Sequence, residues 1–326
     1  MKAVVYHRYG SPDALSLVEL PTPIPRAHEV LVRVHAAAVN PADWRLLRAD
    51  PFLVRVMGRG FFAPKKPVLG ADLAGVVVAV GAEVTAFHPG DEVFGGSLES
   101  GSGAFAEYVT VPETSLVAKP VGLDFEQAAA IPLAALTALL ALRDRGELEA
   151  GQRVLIQGAS GGVGSFAVQL ARHLGAHVTA VTSTRNLELV GRLGADRVID
   201  YTTEDWTLDE RHRFDLILGV AGYHPLSAYA RCLEDGGTYV CVGGRNAQLF
   251  EAMLLGPLYS LFSNKRFCIL SESPGPQHLD VIRAWAAEGR LVPLIDRRYE
   301  LSGVPDAIRY IEAGHARGKV VIRVAA

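Results

Sequence analysis

The sequence has few residues that could cross-link it or hold a metal. Only three cysteines, Cys232, Cys241 and Cys268, occur among its 326 residues, and no two of them have C-x-x-C spacing. Their odd number and their spacing suggest neither a disulfide framework nor a cysteine-rich zinc site. So few cysteines are typical of a reducing compartment, and we therefore expect a cytoplasmic protein.

Long apolar runs are also missing. The longest run without charge, residues 128–142, is shorter than the roughly 20 residues that a transmembrane helix needs, and it contains Pro132. The N-terminal segment MKAVVYHRYG lacks the basic, apolar and small-residue zones of a signal peptide. We expect a buried core helix at 128–142 and no association with a membrane.

Neither sign of charge dominates the sequence. Its 32 lysines and arginines and 35 aspartates and glutamates give a formal net charge of -3, without a basic stripe or an acidic tail. Nucleic acid recognition depends on clustered positive charge, so we expect no nucleic acid partner. A hydrophobic content of 49% with 21% charged residues is typical of a globular protein, and the length allows two domains.

Two patterns of predicted secondary structure divide the sequence. Up to about residue 122, short strand-like segments alternate with turns such as FHPGDE, which indicates a β-rich domain. From 123 to 263, strands alternate with helices, which indicates βαβ units and a doubly wound parallel sheet. The tail 264–326 begins with a strand, KRFCIL, and is predicted to return to the first domain or to pair with a second subunit. The predicted fold class is therefore α/β.

A glycine cluster follows the first strand of the alternating region. A dinucleotide fingerprint, [G/A]-x-G-x-x-G, aligns there with Ala159, Ser160, Gly161, Gly162, Val163 and Gly164. In this motif the turn aims backbone N–H groups at a pyrophosphate, Gly161 permits its close approach, and Gly164 lets helix and strand pack. The alternative is a glycine-rich turn without a ligand, but the flanking strand and helix favour phosphate binding.

The residues after the second strand predict which dinucleotide binds. NAD-binding proteins place an Asp or Glu there, to accept a hydrogen bond from the ribose 2′-hydroxyl. Here the segment 180–186, AVTSTRN, contains no carboxylate, and Ser183 and Arg185 offer a hydroxyl and a guanidinium to a 2′-phosphate. We predict NADP, used as NADPH. The alternative is that Arg185 only faces solvent at the start of the next helix.

Six segments are characteristic in combination: GASGGVGSFAVQLARHLGA, TSTRN, LGADRVIDY, NPADW, VLGADLAGVVVAVG and GHARGKVVI. Over essentially the whole chain they resemble the zinc-independent quinone oxidoreductases, the zeta-crystallin-like group of the medium-chain dehydrogenase/reductase superfamily. The resemblance implies a GroES-like catalytic domain, residues 1–122 and 264–326, with a Rossmann NADP-binding domain, 123–263, inserted in it. Substrate and nicotinamide would meet in the cleft between the domains. The resemblance also implies a homodimer in which KRFCIL pairs across subunits.

The resemblance also locates the positions where zinc-dependent relatives bind metal. Those relatives carry a Cys near the end of the long N-terminal strand and a Gly-His-Glu further on, where this chain has Val39-Asn40 and Gly70-Ala71-Asp72. We therefore predict no metal site. Without a Lewis acid, reduction of an electron-poor acceptor is favoured over alcohol oxidation. The predicted reaction is NADPH-dependent hydride transfer to a quinone or an α,β-unsaturated carbonyl, a small electrophilic acceptor.

Candidate active-site residues follow from the same resemblance. Asn40 and Asp43 would lie near the nicotinamide, Trp44 would line the acceptor side, and Thr137 would approach the nicotinamide from its helix. The alternatives are structural, because Asn40 and Asp43 also occupy the N-cap and N3 of a helix start, and Thr137 could bond its own backbone. Many members of the group carry an aromatic residue where this chain has Arg45. This departure bears on the assignment of a quinone as the acceptor more than on the assignment of the protein as a reductase.

Further cofactor contacts are implied less specifically. Tyr201 and Lys319 would contact the adenosine phosphate or ribose, and the alternatives are a surface tyrosine and a charge on an edge strand. The wall of the nicotinamide ribose, at the carboxyl ends of the later strands, would be formed by Gly219, Val220, Gly243 and Gly244. Arg55 and Phe61, in the segment 51–67, are candidate substrate contacts.

Two classes of function are compatible with these features. The first is an NADPH-dependent quinone or enone reductase. The second is an NADPH-binding protein without significant turnover, with a structural, scaffold or RNA-associated role, as some crystallin-like relatives have. The intact fingerprint and the slightly acidic charge argue against the second class.

Overall fold

The computed structural model describes residues 1–52, 54–55, 60–97, 103–208, 213–271 and 274–324. The chain forms two compact units, one of Met1–Ala134 with Gly275–Ala326 and one of Ala135–Pro274. The sequence placed these boundaries after residues 122 and 263, and the structure places each of them about a dozen residues later. Among the described residues, no helix is long and apolar enough to cross a membrane.

Strands and helices are numbered along the chain. The strands of the first unit are β1 (Lys2–Tyr6), β2 (Leu15–Glu19), β3 (Glu29–Val39), β4 (Asp72–Val80), β5 (Glu92–Gly96), β6 (Tyr108–Pro112), β7 (Leu116–Ala118), β14 (Ile295–Glu300) and β15 (Lys319–Arg323). Those of the second are β8 (Arg153–Gln157), β9 (His177–Thr182), β10 (Arg197–Asp200), β11 (Phe214–Gly219), β12 (Leu233–Cys241) and β13 (Arg266–Ile269). The helices are α1 (Pro41–Arg48), α2 (Phe125–Ala129), α3 (Pro132–Leu139), α4 (Gly162–His173), α5 (Leu187–Arg192), α6 (Leu226–Cys232), α7 (Asn246–Phe262), α8 (Pro276–Ala287) and α9 (Val304–Glu312).

The first unit is built on a seven-stranded sheet in the order β14-β15-β3-β4-β5-β7, with β6 also paired to β3. All of its ladders are antiparallel except β14 with β15, and β1 and β2 form a separate hairpin. β3 supplies much of the core, because Val30, Val32 and Val34 are buried on one face and pack with Leu73 and Phe105. The C-terminal strand β15 pairs with β3, so both ends of the chain form this unit.

The second unit is a six-stranded parallel sheet in the order β10-β9-β8-β11-β12-β13. Numbered from β8, this is the 3-2-1-4-5-6 order of a Rossmann fold, in which ligands bind where the order reverses, at the carboxyl ends of the strands. The centre of β8, Val154 to Ile156, is apolar and fully buried, as a parallel strand covered on both faces should be.

Two expectations about single elements need correction. β13, predicted to belong to the tail of the first domain, pairs in parallel with β12 and forms the last strand of the second unit's sheet. Its pairing across subunits stays a prediction. The expected continuous core helix at 128–142 is divided, because α2 ends at Ala129 and α3 begins at Pro132. A proline fits the first turn of a helix, where its missing N–H has no intrahelical role.

Candidate functional site

The glycine cluster forms the turn between β8 and α4. Gly158 takes a positive φ of 83°, and Gly161 is the N-cap of α4 with extended backbone, φ −80° and ψ 179°. Around them, the turn and the first turn of the helix contain Ala159, Ser160, Gly162, Val163 and Gly164. The first N–H groups of a helix have no intrahelical acceptor and lie at the positive end of its dipole. The cluster therefore has the geometry that anion binding requires.

Two glycines of this turn have different surroundings. A Cβ atom on Gly164 would lie 2.1 Å from the carbonyl oxygen of Gly158, so close packing excludes any other residue there. A Cβ on Gly161 would meet only the same oxygen, at 3.5 Å, which is ordinary van der Waals contact. The fold by itself therefore permits a side chain at Gly161. The open space in front of Gly161 fits the approach of a pyrophosphate.

Hydroxyl and amide groups join the turn to the end of β9. Thr182 Oγ1 donates a hydrogen bond to Ser160 Oγ at 2.9 Å, and Asn186 Nδ2 donates to the same oxygen at 3.0 Å and to Ser183 Oγ at 3.3 Å. Because both serine oxygens act as acceptors here, their own hydrogens can be donated to a further group. Two hydroxyl donors beside a positively charged side chain suit a phosphate, which only accepts.

Arg185 follows Ser183 by two residues, and the N–H of Tyr201 donates to the Thr182 carbonyl at 3.0 Å. Both side chains are exposed. Arg185 lies in the short 3-10 turn Thr184–Asn186 before α5, and 48% of Tyr201 is accessible. The carboxylate of Asp200, at the end of β10, accepts hydrogen bonds from Thr184 Oγ1 at 2.6 Å and from the Thr202 N–H at 2.9 Å. The Thr184 hydroxyl holds the pKa of Asp200 below its usual range. Asp200 therefore remains ionised, and its carboxylate is hydrogen-bonded within the protein.

The glycines predicted to line the nicotinamide ribose also have reasons within the fold. A Cβ on Gly219 would lie 2.5 Å from the hydroxyl of Tyr239, and one on Gly243 would lie 2.9 Å from the carbonyl oxygen of Val220. Gly244 has a φ of 127°, which side-chain-bearing residues rarely adopt. Packing and backbone conformation account for these glycines, and their contact with the ribose stays a prediction.

In the first unit, the sheet register brings three polar side chains together. β4 pairs with β3 so that Asp72 lies opposite Ala38, two residues before Asn40. β15 runs antiparallel to β3 on its other side, and its first residue, Lys319, lies beside the end of β3. Three strand ends thus meet around Asn40. The sequence separations are large, so only the folded sheet creates this cluster.

The three side chains form a buried network. Lys319 Nζ donates to Asn40 Oδ1 at 2.5 Å and to Asp72 Oδ2 at 3.0 Å. Asn40 Nδ2 donates to the same Asp72 oxygen at 2.9 Å and to the Ala38 carbonyl at 3.2 Å. The second oxygen of Asp72 accepts from the N–H of Leu133 at 2.8 Å. Asn40, Asp72 and Lys319 are at most 3% exposed.

This network corrects the interpretation of Lys319 as an edge-strand charge. β15 lies between β14 and β3, and the side chain is buried and paired with Asp72. The predicted contact with the adenosine phosphate would require the ammonium to leave both Asp72 and Asn40. The sequence reasoning missed Asp72 as a functional candidate, although a lone carboxylate opening the apolar segment DLAGVVVAV was a signal for it.

Asp43 occupies the helix start that its position predicted. Its carboxylate accepts from the N–H of Asn40 at 2.7 Å and from the N–H of Gly70 at 2.9 Å, and only 2% of the residue is exposed. Burial raises the pKa of Asp43 to about 7 and outweighs the two hydrogen bonds, which lower it. The structural interpretation is confirmed for Asp43. Asn40 takes the N-cap position, and its side chain bonds Lys319 and Asp72.

Two other predicted active-site side chains are partly accessible. Trp44 lies in α1, and the guanidinium of Arg45 lies 4.7 Å from the centroid of its ring. Thr137 lies in α3 and is half-buried. Arg45 therefore covers part of the aromatic face of Trp44, through a cation–π contact.

The segment 51–67 forms an aromatic cluster where it is described. Arg55 lies 4.7 Å from the centroid of the Tyr9 ring, and Phe61 packs edge-on against Phe52 at 5.9 Å. Residues 53 and 56–59 lie outside the described part of the chain. The predicted substrate contacts of Arg55 and Phe61 stay predictions.

The described residues contain no group of three or more His, Cys, Asp and Glu side chains that could hold a metal ion. The three cysteines are buried as free thiols. At the two positions compared with zinc-dependent relatives, Asn40 and Asp72 bind the ammonium of Lys319. A cation is present there, but it is a lysine side chain.

Comparison with known proteins identifies the family. Residues 26–121 match the alcohol dehydrogenase GroES-like domain, and residues 193–322 match the family described as zinc-binding dehydrogenase. The chloroplast envelope quinone oxidoreductase homolog of Arabidopsis thaliana is 34% identical, over 99% of this chain and 98% of that protein. The chain belongs to the quinone oxidoreductase-like group of the medium-chain dehydrogenase/reductase superfamily.

Other members of the superfamily agree with this assignment. The chloroplastic NADPH-dependent alkenal/one oxidoreductase of Arabidopsis thaliana is 35% identical, over 99% of this chain and 79% of that protein. The structure of a quinone oxidoreductase from Coxiella burnetii superimposes with a TM-score of 0.89 at 31% identity, over 100% of this chain and 99% of that one. The predicted fold class, a GroES-like domain with a Rossmann domain, is confirmed. The protein is an oxidoreductase of a group that uses a nicotinamide cofactor.

Proposed function

We propose that this oxidoreductase is zinc-independent and uses NADPH to reduce an α,β-unsaturated carbonyl or a quinone. The observation that carries the proposal is the donor set after β9. The hydroxyls of Ser160 and Ser183 are oriented by Thr182 and Asn186, so that each can donate outward. An NAD-specific site would place a carboxylate there, and none occurs between residues 180 and 186.

The residues present fit each phosphate of the cofactor. Ser183 and Arg185 would bind the 2′-phosphate, and the amides at the start of α4 would bind the pyrophosphate in front of Gly161. When bound, NADPH supplies a hydride. The hydrogen bonds that Asp200 accepts from Thr184 and Thr202 keep its charge within the protein, which limits its repulsion of a 2′-phosphate.

The acceptor is proposed from the chemistry of the first unit. Reduction of an electron-poor double bond needs alignment more than a Lewis acid, and alignment can contribute up to roughly 7 to 11 kcal/mol in favourable cases. The Asn40 amide is rigidly held, with both N–H groups engaged by Asp72 and Ala38. Asn40 can therefore accept a hydrogen bond from a ligand but has no further one to donate. Asp43 has both carboxylate oxygens engaged by backbone N–H groups, so its role is to hold the segment.

The names of relatives support both acceptor classes. One is named a quinone oxidoreductase homolog and another an alkenal/one oxidoreductase, and they are similarly related to this chain. We favour the enone, because Arg45 stands where many members of the group have an aromatic residue and covers part of the Trp44 ring. A flat quinone would stack on that ring, whereas a short enone would not need it.

A steady-state assay with a panel of acceptors tests the proposal. NADPH oxidation is followed with enones, enals and quinones, before and after dialysis against a strong chelator. We expect saturable turnover with at least one enone and no loss of activity after dialysis. Tight NADPH binding without turnover of any acceptor would instead support a structural, scaffold or RNA-associated role. Activity that disappears with the chelator and returns with zinc would contradict zinc independence.

The homodimer and the cytoplasmic location stay predictions. Size-exclusion chromatography with light scattering checks the first. The relatives include a protein named for the chloroplast envelope, so the location of this chain needs its own measurement. Microscopy of a tagged protein provides it.

A further inference from the structure

Asp72 and Lys319 form an ion pair buried in the first unit, 3.0 Å between Oδ2 and Nζ. The side chains are 0% and 3% exposed. Removing two charges from water is expensive, and replacing a buried pair by apolar residues is often neutral or stabilising. Stability alone therefore explains such a pair poorly. The groups that the pair contacts suggest another reason.

Asn40 lies between the two charges, and its amide can meet them in only one orientation. An ammonium only donates hydrogen bonds and a carboxylate only accepts them. Asn40 Oδ1 faces Lys319 Nζ at 2.5 Å, and Asn40 Nδ2 faces Asp72 Oδ2 at 2.9 Å. If the amide were rotated by half a turn, Nδ2 would face the ammonium of Lys319, donor against donor, and Oδ1 would face the carboxylate of Asp72, acceptor against acceptor. The ion pair thus fixes which atom of Asn40 lies on which side.

Asp72 also binds the backbone of a helix, α3. Its other oxygen accepts from the N–H of Leu133, in the first turn of α3. Thr137 lies on this helix, four residues further along. One carboxylate therefore holds the Asn40 amide, the Lys319 ammonium and the start of α3.

We propose that Asp72 and Lys319 are positioning residues, which orient the Asn40 amide so that one lone pair of Oδ1 is left for a hydrogen-bond donor of the bound cofactor or substrate. This inference rests on the proposed reductase function and on the predicted role of Asn40 in it. The inference assigns Lys319 a positioning role in the first unit, in place of the predicted contact with the adenosine phosphate. The two roles of Lys319 have different kinetic consequences.

The test compares the wild type with the double variant Asp72→Asn/Lys319→Met, which removes both charges and keeps an acceptor for Leu133. Lys119→Met is the matched control. Its ammonium is also buried in the first unit and bound to a carboxylate, with 6% of the side chain exposed and Glu92 at 3.0 Å, but it contacts none of the candidate active-site residues named above. Each protein is first checked for folding by circular dichroism and thermal unfolding.

Two readouts separate positioning from a general structural effect. With saturating NADPH we expect kcat of the double variant to fall about tenfold or more, with dissociation constants for NADPH and NADH within about twofold of the wild type. The control should keep kcat. The second readout needs no turnover. The chain has only four asparagines, so selective ¹⁵N labelling resolves the Asn40 side-chain amide, whose hydrogen exchange should accelerate about tenfold or more.

Each outcome decides the inference. A folded double variant with wild-type kcat and wild-type Asn40 exchange overturns it, and a selective loss of NADPH affinity at unchanged kcat supports the adenosine contact instead. If the double variant does not fold, Lys319→Gln, which keeps a donor without the charge, is judged by the same two readouts. A wild type without turnover contradicts the proposed function, while the Asn40 exchange rate still decides the positioning role.

Discussion

The hydroxyl of Thr182, at the end of β9, donates a 2.9 Å hydrogen bond to the hydroxyl of Ser160, in the glycine-rich turn after β8. This bond joins the two segments that are proposed to bind the pyrophosphate and the 2′-phosphate of NADPH. Because Thr182 and Asn186 both donate to Ser160, the serine hydrogen is left for an acceptor outside the protein. The groups proposed to bind phosphate are therefore oriented by contacts within the second unit.

Gly161 and Gly164 give opposite predictions for the same substitution. Gly161→Val should leave the melting temperature nearly unchanged and abolish NADPH binding, because its Cβ has room in the protein but would fill the pyrophosphate approach. Gly164→Val should lower the melting temperature, because its Cβ would overlap the Gly158 carbonyl. Thermal unfolding and NADPH titration of both variants provide the check. A stable Gly161→Val protein with wild-type NADPH affinity would show that the cluster is only a turn.

Cofactor choice should depend on Arg185. A charge-assisted hydrogen bond contributes roughly 1.5 to 3 kcal/mol, so Arg185→Ala should weaken NADPH binding by about ten- to hundredfold. NADH, which has no 2′-phosphate, should bind as before. Arg192→Ala is the control, because it removes the same charge from the exposed end of α5, where Arg192 pairs with Glu188.

Titration of both cofactors against both variants measures this effect, and added salt should reduce the preference for NADPH because Arg185 is exposed. Equal losses for NADPH and NADH in Arg185→Ala would mean that the guanidinium does not recognise the 2′-phosphate. So would equal affinities of the wild type for the two cofactors.

The buried Asp43 should make stability depend on pH. Burial raises its pKa in the folded state to about 7, from the ordinary value of 3.8, so the folded state favours the protonated carboxyl. Its contribution to stability is fully present below about pH 4 and is lost as the pH rises through 7. Between pH 5 and pH 8, the free energy of unfolding should fall by roughly 2.5 kcal/mol more in the wild type than in Asp43→Asn. Urea unfolding at both pH values measures this difference, and parallel pH profiles for the two proteins would contradict it.

The sequence predicted the features that depend on neighbouring residues. The strand, glycine turn and helix from 153 to 173 are specified by apolar strand residues and glycines within one segment, and the alternating pattern after it yields a parallel sheet with little ambiguity. Asp43 could be placed at the start of α1 for the same reason. A helix cap is made by residues three positions apart.

Features that depend on pairing between distant segments were not predictable. Lys319 and Asp72 are separated by 247 positions, and their contact exists only because β15 and β4 flank β3 in a particular register. The second boundary was placed too early because β13 is a short apolar strand, and its pattern does not say whether it pairs with β12 or with the other sheet. The donor role of Ser160 depends on Asn186, whose side-chain direction cannot be inferred from sequence.

The most direct test of the reductase assignment follows the hydride itself. The protein is incubated with a saturating enone and NADPH that carries deuterium at C4 of the nicotinamide, in separate runs for the two faces of the ring, and the product is analysed by NMR and mass spectrometry. We predict a saturated ketone with one deuterium on its β-carbon in one of the two runs, and NADP⁺ in equal amount. Reduced product without deuterium in either run, or intact enone beside tightly bound NADPH, would contradict the account.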